Sequence, residues 1–176
     1  MSLLHELHEL PTIDMTDSET DCCPRFHPHA WDEKTFVFDD MLFAKAKSRS
    51  FLYMPLNFSK MMTQSQQYID KAGAQDPDRY FILSQDKSKW HSEHYFKVTK
   101  NVPEMEMVKL KGHYMSKVYS GEYKEIPRFI EEFRKYLNLQ DQSIDMKEFY
   151  VFYTTCPKCA KIYGKNYMVL FSKVSN

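Results

Sequence analysis

The chain has 176 residues, a length that suits one domain able to bury most of its apolar surface without external staples. Lys plus Arg and Asp plus Glu are 24 each, so no net charge draws the protein towards nucleic acid or anionic lipid. Aromatic residues reach 15%, with 11 Met and only 4 Gly, a composition that suits a core of large side chains or the wall of a cavity.

Residues 1–33 read as a tail or a wrap over the domain. Leu3, Leu4, Leu7 and Leu10 form a short amphipathic stretch, interrupted by His5, Glu6, His8 and Glu9 and closed by Pro11. Those interruptions leave no uninterrupted apolar segment of the secretory kind, so a cytoplasmic protein is expected. His5 and His8 read as solvated surface. The longest apolar runs, such as Phe149–Tyr153 and residues 167–171, fall far short of the roughly 20 residues that span a bilayer, so no membrane partner is expected.

From Lys34 the pattern changes to strands: Phe36 and Phe38, then residues 42–46, then 51–54. Asn57 or Ser59 can cap a helix whose apolar face is Met61, Met62, Ser65, Tyr68, Ile69 and Ala72, stopped by Gly73 and Pro77. Residues 80–83 read as a strand, 84–89 as a polar loop and 93–99 as a second strand. The same order then recurs. Residues 108–119 are extended and end at Ser120-Gly121. Pro127 opens a helix with Ile126, Phe129, Ile130, Phe133, Tyr136 and Leu137 on one stripe. A polar stretch, 138–147, precedes the strand 149–154; a loop, 156–166, precedes the last strand, 167–174.

Sliding one half over the other by 65 residues sets Tyr53 on Val118, Phe58 on Tyr123 and Met61 on Ile126. The closing segments Tyr95-Phe96-Lys97-Val98 and Phe171-Ser172-Lys173-Val174 also correspond. The expected fold class is therefore α+β: tandem pseudo-symmetric strand-helix-strand-strand repeats, about 34–100 and 104–176, forming one antiparallel sheet with two main helices on one face.

The segment Tyr119-Ser120-Gly121-Glu122-Tyr123-Lys124-Glu125-Ile126-Pro127 resembles the Ser-Gly-Pro-Tyr turn of the GyrI-like small-molecule-binding family, with Glu122 in place of the usual Pro. The run from Phe152 through Cys156-Pro157-Lys158-Cys159 to Tyr163-Gly164-Lys165-Asn166-Tyr167 resembles a stand-alone bacterial branch of it. That resemblance covers roughly residues 22–174. It implies an eight-stranded sheet and a central cleft for hydrophobic, often planar or cationic compounds. Some members of the branch resemble hydrolases that open the strained cyclopropane of DNA-alkylating antibiotics. The expected partner is thus a hydrophobic aromatic small molecule, taken by a monomer or weak homodimer with no cofactor. Two further readings remain: a binding or sequestering module without turnover, and an interaction protein whose cleft receives a partner's peptide.

In an extended segment residues two apart share a face, so Glu93, Tyr95 and Lys97 point one way and His94, Phe96 and Val98 the other. If the latter face the helices, Glu93 and Tyr95 face the cleft. A carboxylate among aromatics, its pKa raised, can act as a general base on water, with Tyr153 stabilising charge on a carbonyl oxygen. Glu93 and Tyr153 are the catalytic candidates. Tyr53, Trp90, Tyr95, Tyr119, Tyr123, Tyr150 and Phe171 are the ligand-binding ones. Alternatively, Glu93 pairs with Lys97 or a cross-strand lysine, and each aromatic is plain core.

Cys22, Cys23, Cys156 and Cys159 are too few for a disulfide scaffold, and reduced thiols are expected. The C-x-x-C of Cys156 and Cys159, with Cys22, Cys23, His27 and His29, has the chemistry of a zinc site, but the irregular spacing favours a structural loop without metal. A redox role is weaker, because no helix pattern begins at the first cysteine. No Ser-His-Asp spacing, phosphate loop or H-E-x-x-H motif is present.

Overall fold

A computed structural model describes residues 6–78, 80–141 and 143–175. The expectations for Leu3, Leu4 and His5 fall outside them. The described elements are β1 (Leu7–His8), β2 (Thr35–Phe51), β3 (Met54–Pro55), α1 (Phe58–Ala72), β4 (Ile82–Ser88), β5 (His91–Lys97), β6 (Glu106–Ser120), α2 (Ile126–Gln140), β7 (Phe149–Tyr153), α3 (Pro157–Tyr163) and β8 (Tyr167–Ser175). The class is α+β, with predominantly antiparallel strands and three helices. No helix among the described residues is long and apolar enough to cross a membrane.

The chain divides into two compact units, Met1–Phe38 with Lys111–Asn176, and Asp39–Leu110. The long strands β2 and β6 run through both. In the unit Asp39–Leu110, β5 pairs antiparallel with β2, from Phe43↔Lys97 to Arg49↔His91, and with β4, from Ile82↔Phe96 to Ser88↔His91. Helix α1 covers one face. Its Met61 and Ile69 pack with Ala44, Phe96, Val98 and Val102, so Phe96 and Val98 do face a helix. Gly73 ends α1 at φ 58°, a left-handed conformation that glycine adopts without Cβ strain, and its N–H returns to Asp70 and Ile69.

The Asn57 side chain does not cap α1; it accepts from the Arg49 N–H at 2.7 Å instead, tying the helix start to β2. Two expected boundaries also shift. The polar stretch 84–88, expected as loop, belongs to β4. Its backbone pairs with β5 at Ser84↔His94, Gln85↔Glu93 and Asp86↔Ser92, and such pairing tolerates polar side chains. Likewise the first two apolar runs after Lys34 are one strand, β2, which ends at Phe51, while Met54 of the third run begins β3.

In the other unit β8 pairs antiparallel with both β6 and β7. Helix α2 lays Phe129, Phe133 and Leu137 on Met115, Tyr119, Val151, Met168 and Leu170. The opposite parity carries a second aromatic group: Phe38 stacks on Tyr114 at 4.2 Å, and Trp31 meets Phe36, Phe152 and Phe171 at 5.5–6.3 Å. Residues before β2 are bound down. The Ser116 N–H and hydroxyl both donate to the Lys34 carbonyl, the hydroxyl also to that of Trp31, and Asp32 accepts from the Val118 N–H. Helix α1 stands between β3 and β4 and α2 between β6 and β7, but α3 separates β7 from β8 whereas β4 leads directly to β5; the superposition of two halves stays an expectation.

Phe133 is fully buried whereas Leu139, on the same helix, is 84% exposed. Phe133→Ala should cost about 3–5 kcal/mol in urea unfolding, and Leu139→Ala less than about 0.5 kcal/mol. Equal effects would contradict this orientation of α2.

Candidate functional site

Strand β5 separates two chemistries by its pleat. On the face away from α1, Glu93 is 8% exposed. Its Oε2 accepts from the Tyr95 hydroxyl at 2.7 Å and lies 3.6 Å from Lys87 Nζ, while Oε1 lies 3.5 Å from Lys45 Nζ. Lys45 also meets Glu106 at 2.8 Å. Burial alone would raise the Glu93 pKa, but the Tyr95 hydrogen bond and the two ammonium groups outweigh it and hold the carboxyl below its ordinary range. The raised pKa expected from sequence therefore does not arise; the cross-strand lysine pairing does. An ionised carboxylate engaged by two lysines and a phenol positions charge better than it abstracts protons.

On the α1 side sits His94, 5% exposed. Ser48 Oγ lies 2.8 Å from its Nε2 and Ser84 Oγ 2.8 Å from its Nδ1, with the Phe58 ring edge-on at 5.3 Å. Burial lowers its pKa to about 4, so the imidazole is neutral at physiological pH. A neutral imidazole with one nitrogen on a hydroxyl and the other oriented by a third group has the layout of a nucleophile and its base. Sequence reasoning missed this trio, which comes from three strands. The available signal was a histidine alternating with Phe96 and Val98.

Beside these residues, between β2, α1 and the segment 104–106, lies a cleft of about 520 Å³, within the range of small-molecule sites. Lys45, Lys47, Arg49 and Lys60 line it, against Glu104 and Glu106. Both carboxylates are already paired, Glu104 with Lys71 and Glu106 with Lys45, each at 2.8 Å. Lys47, Arg49 and Lys60 have no carboxylate partner among the described residues. Met61, Tyr68 and Met105 supply an apolar wall.

None of the sequence-nominated residues lines this cleft. Tyr95 accompanies Glu93. Tyr53 and Trp90 are 58% and 56% exposed, at the β2–β3 and β4–β5 turns. Leu52 and Tyr53 form the former turn with φ of 49° and 69°, where glycine or asparagine is usual. In the other unit, Tyr119 stacks on Phe129 of α2 at 4.9 Å, and Tyr123 meets Tyr153 at 5.7 Å while its hydroxyl donates to the Thr155 carbonyl. Tyr150, 6.3 Å from Tyr114, and Phe171, beside Trp31 and Phe38, are buried in the second aromatic group. Tyr119, Tyr123 and Tyr153 thus gather on the α2 side, Tyr150 and Phe171 on the opposite parity.

The four cysteines, by contrast, converge. Their sulfurs all lie within 4.8 Å of one another, with Cys22 and Cys23 Sγ 3.8 Å apart. Cys156 caps α3, its Sγ accepting from the Cys159 N–H at 3.5 Å. The Cys156 N–H donates to Cys23 Sγ at the same distance. Thus a short helix replaces the expected loop; at seven residues α3 is too brief to show a periodic pattern. His27 stands outside the group, bonded to Asp17 at 2.8 Å.

Residues 13–174 match the sequence model of the family described as Bacterial hydrolase. The match does not extend to the GyrI-like assignment in particular. No curated protein sequence matches the chain.

His94 generates a pH dependence. Unfolded, it takes up a proton near pH 6.5; folded, only near 4. The unfolded state therefore holds more protons between these values, so the stabilisation is complete above about pH 6.5 and is lost as pH falls towards 4, by roughly 3 kcal/mol. Urea midpoints from pH 7 to 4 should fall more steeply for wild type than for His94→Gln. Parallel slopes would contradict a buried neutral imidazole.

Proposed function

Because the chain belongs to the bacterial hydrolase family, we propose that it hydrolyses small esters carrying an anionic group, held in the cleft between β2 and α1. The observation that carries this reading is the set of cations without carboxylate partners among the described residues, Lys47, Arg49 and Lys60, lining the same cleft as the apolar Met61, Tyr68 and Met105. Such a lining suits an aromatic or aliphatic body with a carboxylate or phosphate. A neutral cyclopropane-bearing compound, as the family resemblance implied, would leave these cations unused.

Ser48 stands between two cleft residues, Lys47 and Arg49, on the strand face shared with Ala46, itself in the lining. In this reading Ser48 Oγ attacks the ester carbonyl while His94 Nε2 takes its proton and passes it to the leaving alcohol. Water, activated by the same imidazole, then releases the acid. Ser84 holds the ring through Nδ1. Glu93 is a positioning residue, fixing Lys45 at the cleft wall.

A second reading, binding without turnover, is favoured by the burial of Ser48, only 2% exposed, beneath the start of α1. The two diverge with p-nitrophenyl hemisuccinate and p-nitrophenyl acetate as probes. Hydrolysis should favour the anionic ester by about tenfold or more and drop about a thousandfold in Ser48→Ala. Charge reversal at Lys47, Arg49 and Lys60 should raise KM with kcat little changed. Full activity in Ser48→Ala would overturn the assigned nucleophile. Thermal stabilisation by succinate esters without product would establish the binding reading instead.

A further inference from the structure

We propose that Cys22, Cys23, Cys156 and Cys159 bind one zinc ion as a tetrahedral tetrathiolate site that fastens the segment before β2 to α3. The geometry is metric. Zinc–sulfur bonds of about 2.3 Å directed to the corners of a tetrahedron place sulfurs about 3.8 Å apart. The Cys22–Cys23 separation is 3.8 Å, and every pair among the four lies within 4.8 Å. All four thiols are free. Two disulfides would bring sulfurs to about 2.0 Å in two separate pairs, whereas one ion requires all four at a common mutual distance.

Hydrogen bonding around the sulfurs fits thiolate ligands. Cys156 Sγ accepts from the Cys159 N–H, and Cys23 Sγ from the Cys156 N–H, each at 3.5 Å. The Thr20 hydroxyl lies 3.3 Å from Cys159 Sγ while accepting from the N–H groups of Cys22 and Cys23. Backbone donors aimed at ligating sulfurs orient them and spread their charge. Zinc on four thiolates carries a net charge of about −2, and cationic residues adjoin the ligands along the chain: Arg25 after Cys23, and Lys158 and Lys161 around Cys159.

Burial indicates a structural rather than a catalytic ion. Cys23 and Cys159 are buried and Cys156 half-buried, so four protein sulfurs close the coordination sphere, with the exposed Cys22 at its edge. Between β1 and β2 the only regular element is the one-turn helix Pro28–Ala30. Residues 18–25 are instead held by polar contacts to α3, including the Tyr163 hydroxyl donating to the Cys23 carbonyl at 2.7 Å. An ion shared with Cys156 and Cys159 supplies the cross-link that a hydrophobic core supplies elsewhere.

Elemental analysis of the full chain, purified without chelator from zinc-containing medium, should find one zinc per chain. A thiol-modifying mercurial should release it, as read by a chromogenic zinc indicator. Refolding with cobalt(II) in place of zinc should give the thiolate charge-transfer and visible d–d bands of a tetrahedral sulfur site. Cys23→Ser and Cys159→Ser should lose the ion, and His27→Ala should retain it. If the serine variants fail to fold, cobalt titration of wild type still reads the site. A folded chain that neither contains zinc nor takes up cobalt overturns the proposal, as do stoichiometric iron or a disulfide among these cysteines in the unreduced protein. Neither result bears on Ser48-dependent hydrolysis, which is read in the other unit.

Discussion

Everything chemical in the unit Asp39–Leu110 follows from the two-residue period of β5 set against β2. Once Phe96 and Val98 are committed to α1, His94 must join them and Glu93 must lie on the reverse face. A slip of one residue would exchange these environments, placing a carboxylate under the helix and an imidazole among lysines. The apolar contacts of Met61 and Ile69 therefore hold the register, and the register assigns each titratable group its surroundings.

Those surroundings drive neighbouring residues in opposite senses. His94, enclosed by Ser48, Ser84 and Phe58, is kept neutral by desolvation with no charged group opposing it. Glu93 is similarly buried, yet Lys45, Lys87 and Tyr95 supply enough favourable interaction to keep it ionised. Lys45 also reaches Glu106 at the cleft, which couples the inner carboxylate to the cleft wall.

The other unit is organised by aromatic packing. Phe38 on Tyr114 and Trp31 against Phe152 and Phe171 occupy one parity, while Tyr119 on Phe129 occupies the other. The high aromatic content is spent largely on these interiors, which is why residues nominated as a ligand wall emerge as packing or as exposed turns. The cysteine group lies where regular structure is sparse, joining residues 22–23 to α3.

Helices α1 and α2 were legible from sequence because a 3.6-residue apolar period and end signals such as Gly73 and Pro127 act over a few neighbouring residues. So was the alternation along β5. Non-local pairing decided the rest. Polar residues 84–88 become strand only through β5. Ser48 and Ser84 reach His94 across 46 and 10 residues of chain, and the Cys156 N–H reaches Cys23 Sγ across 133. Local periodicity determines which face a side chain takes, but contacts between distant segments are set by strand register and packing, so only the tertiary structure could bring the serines to the histidine and the four sulfurs to one another.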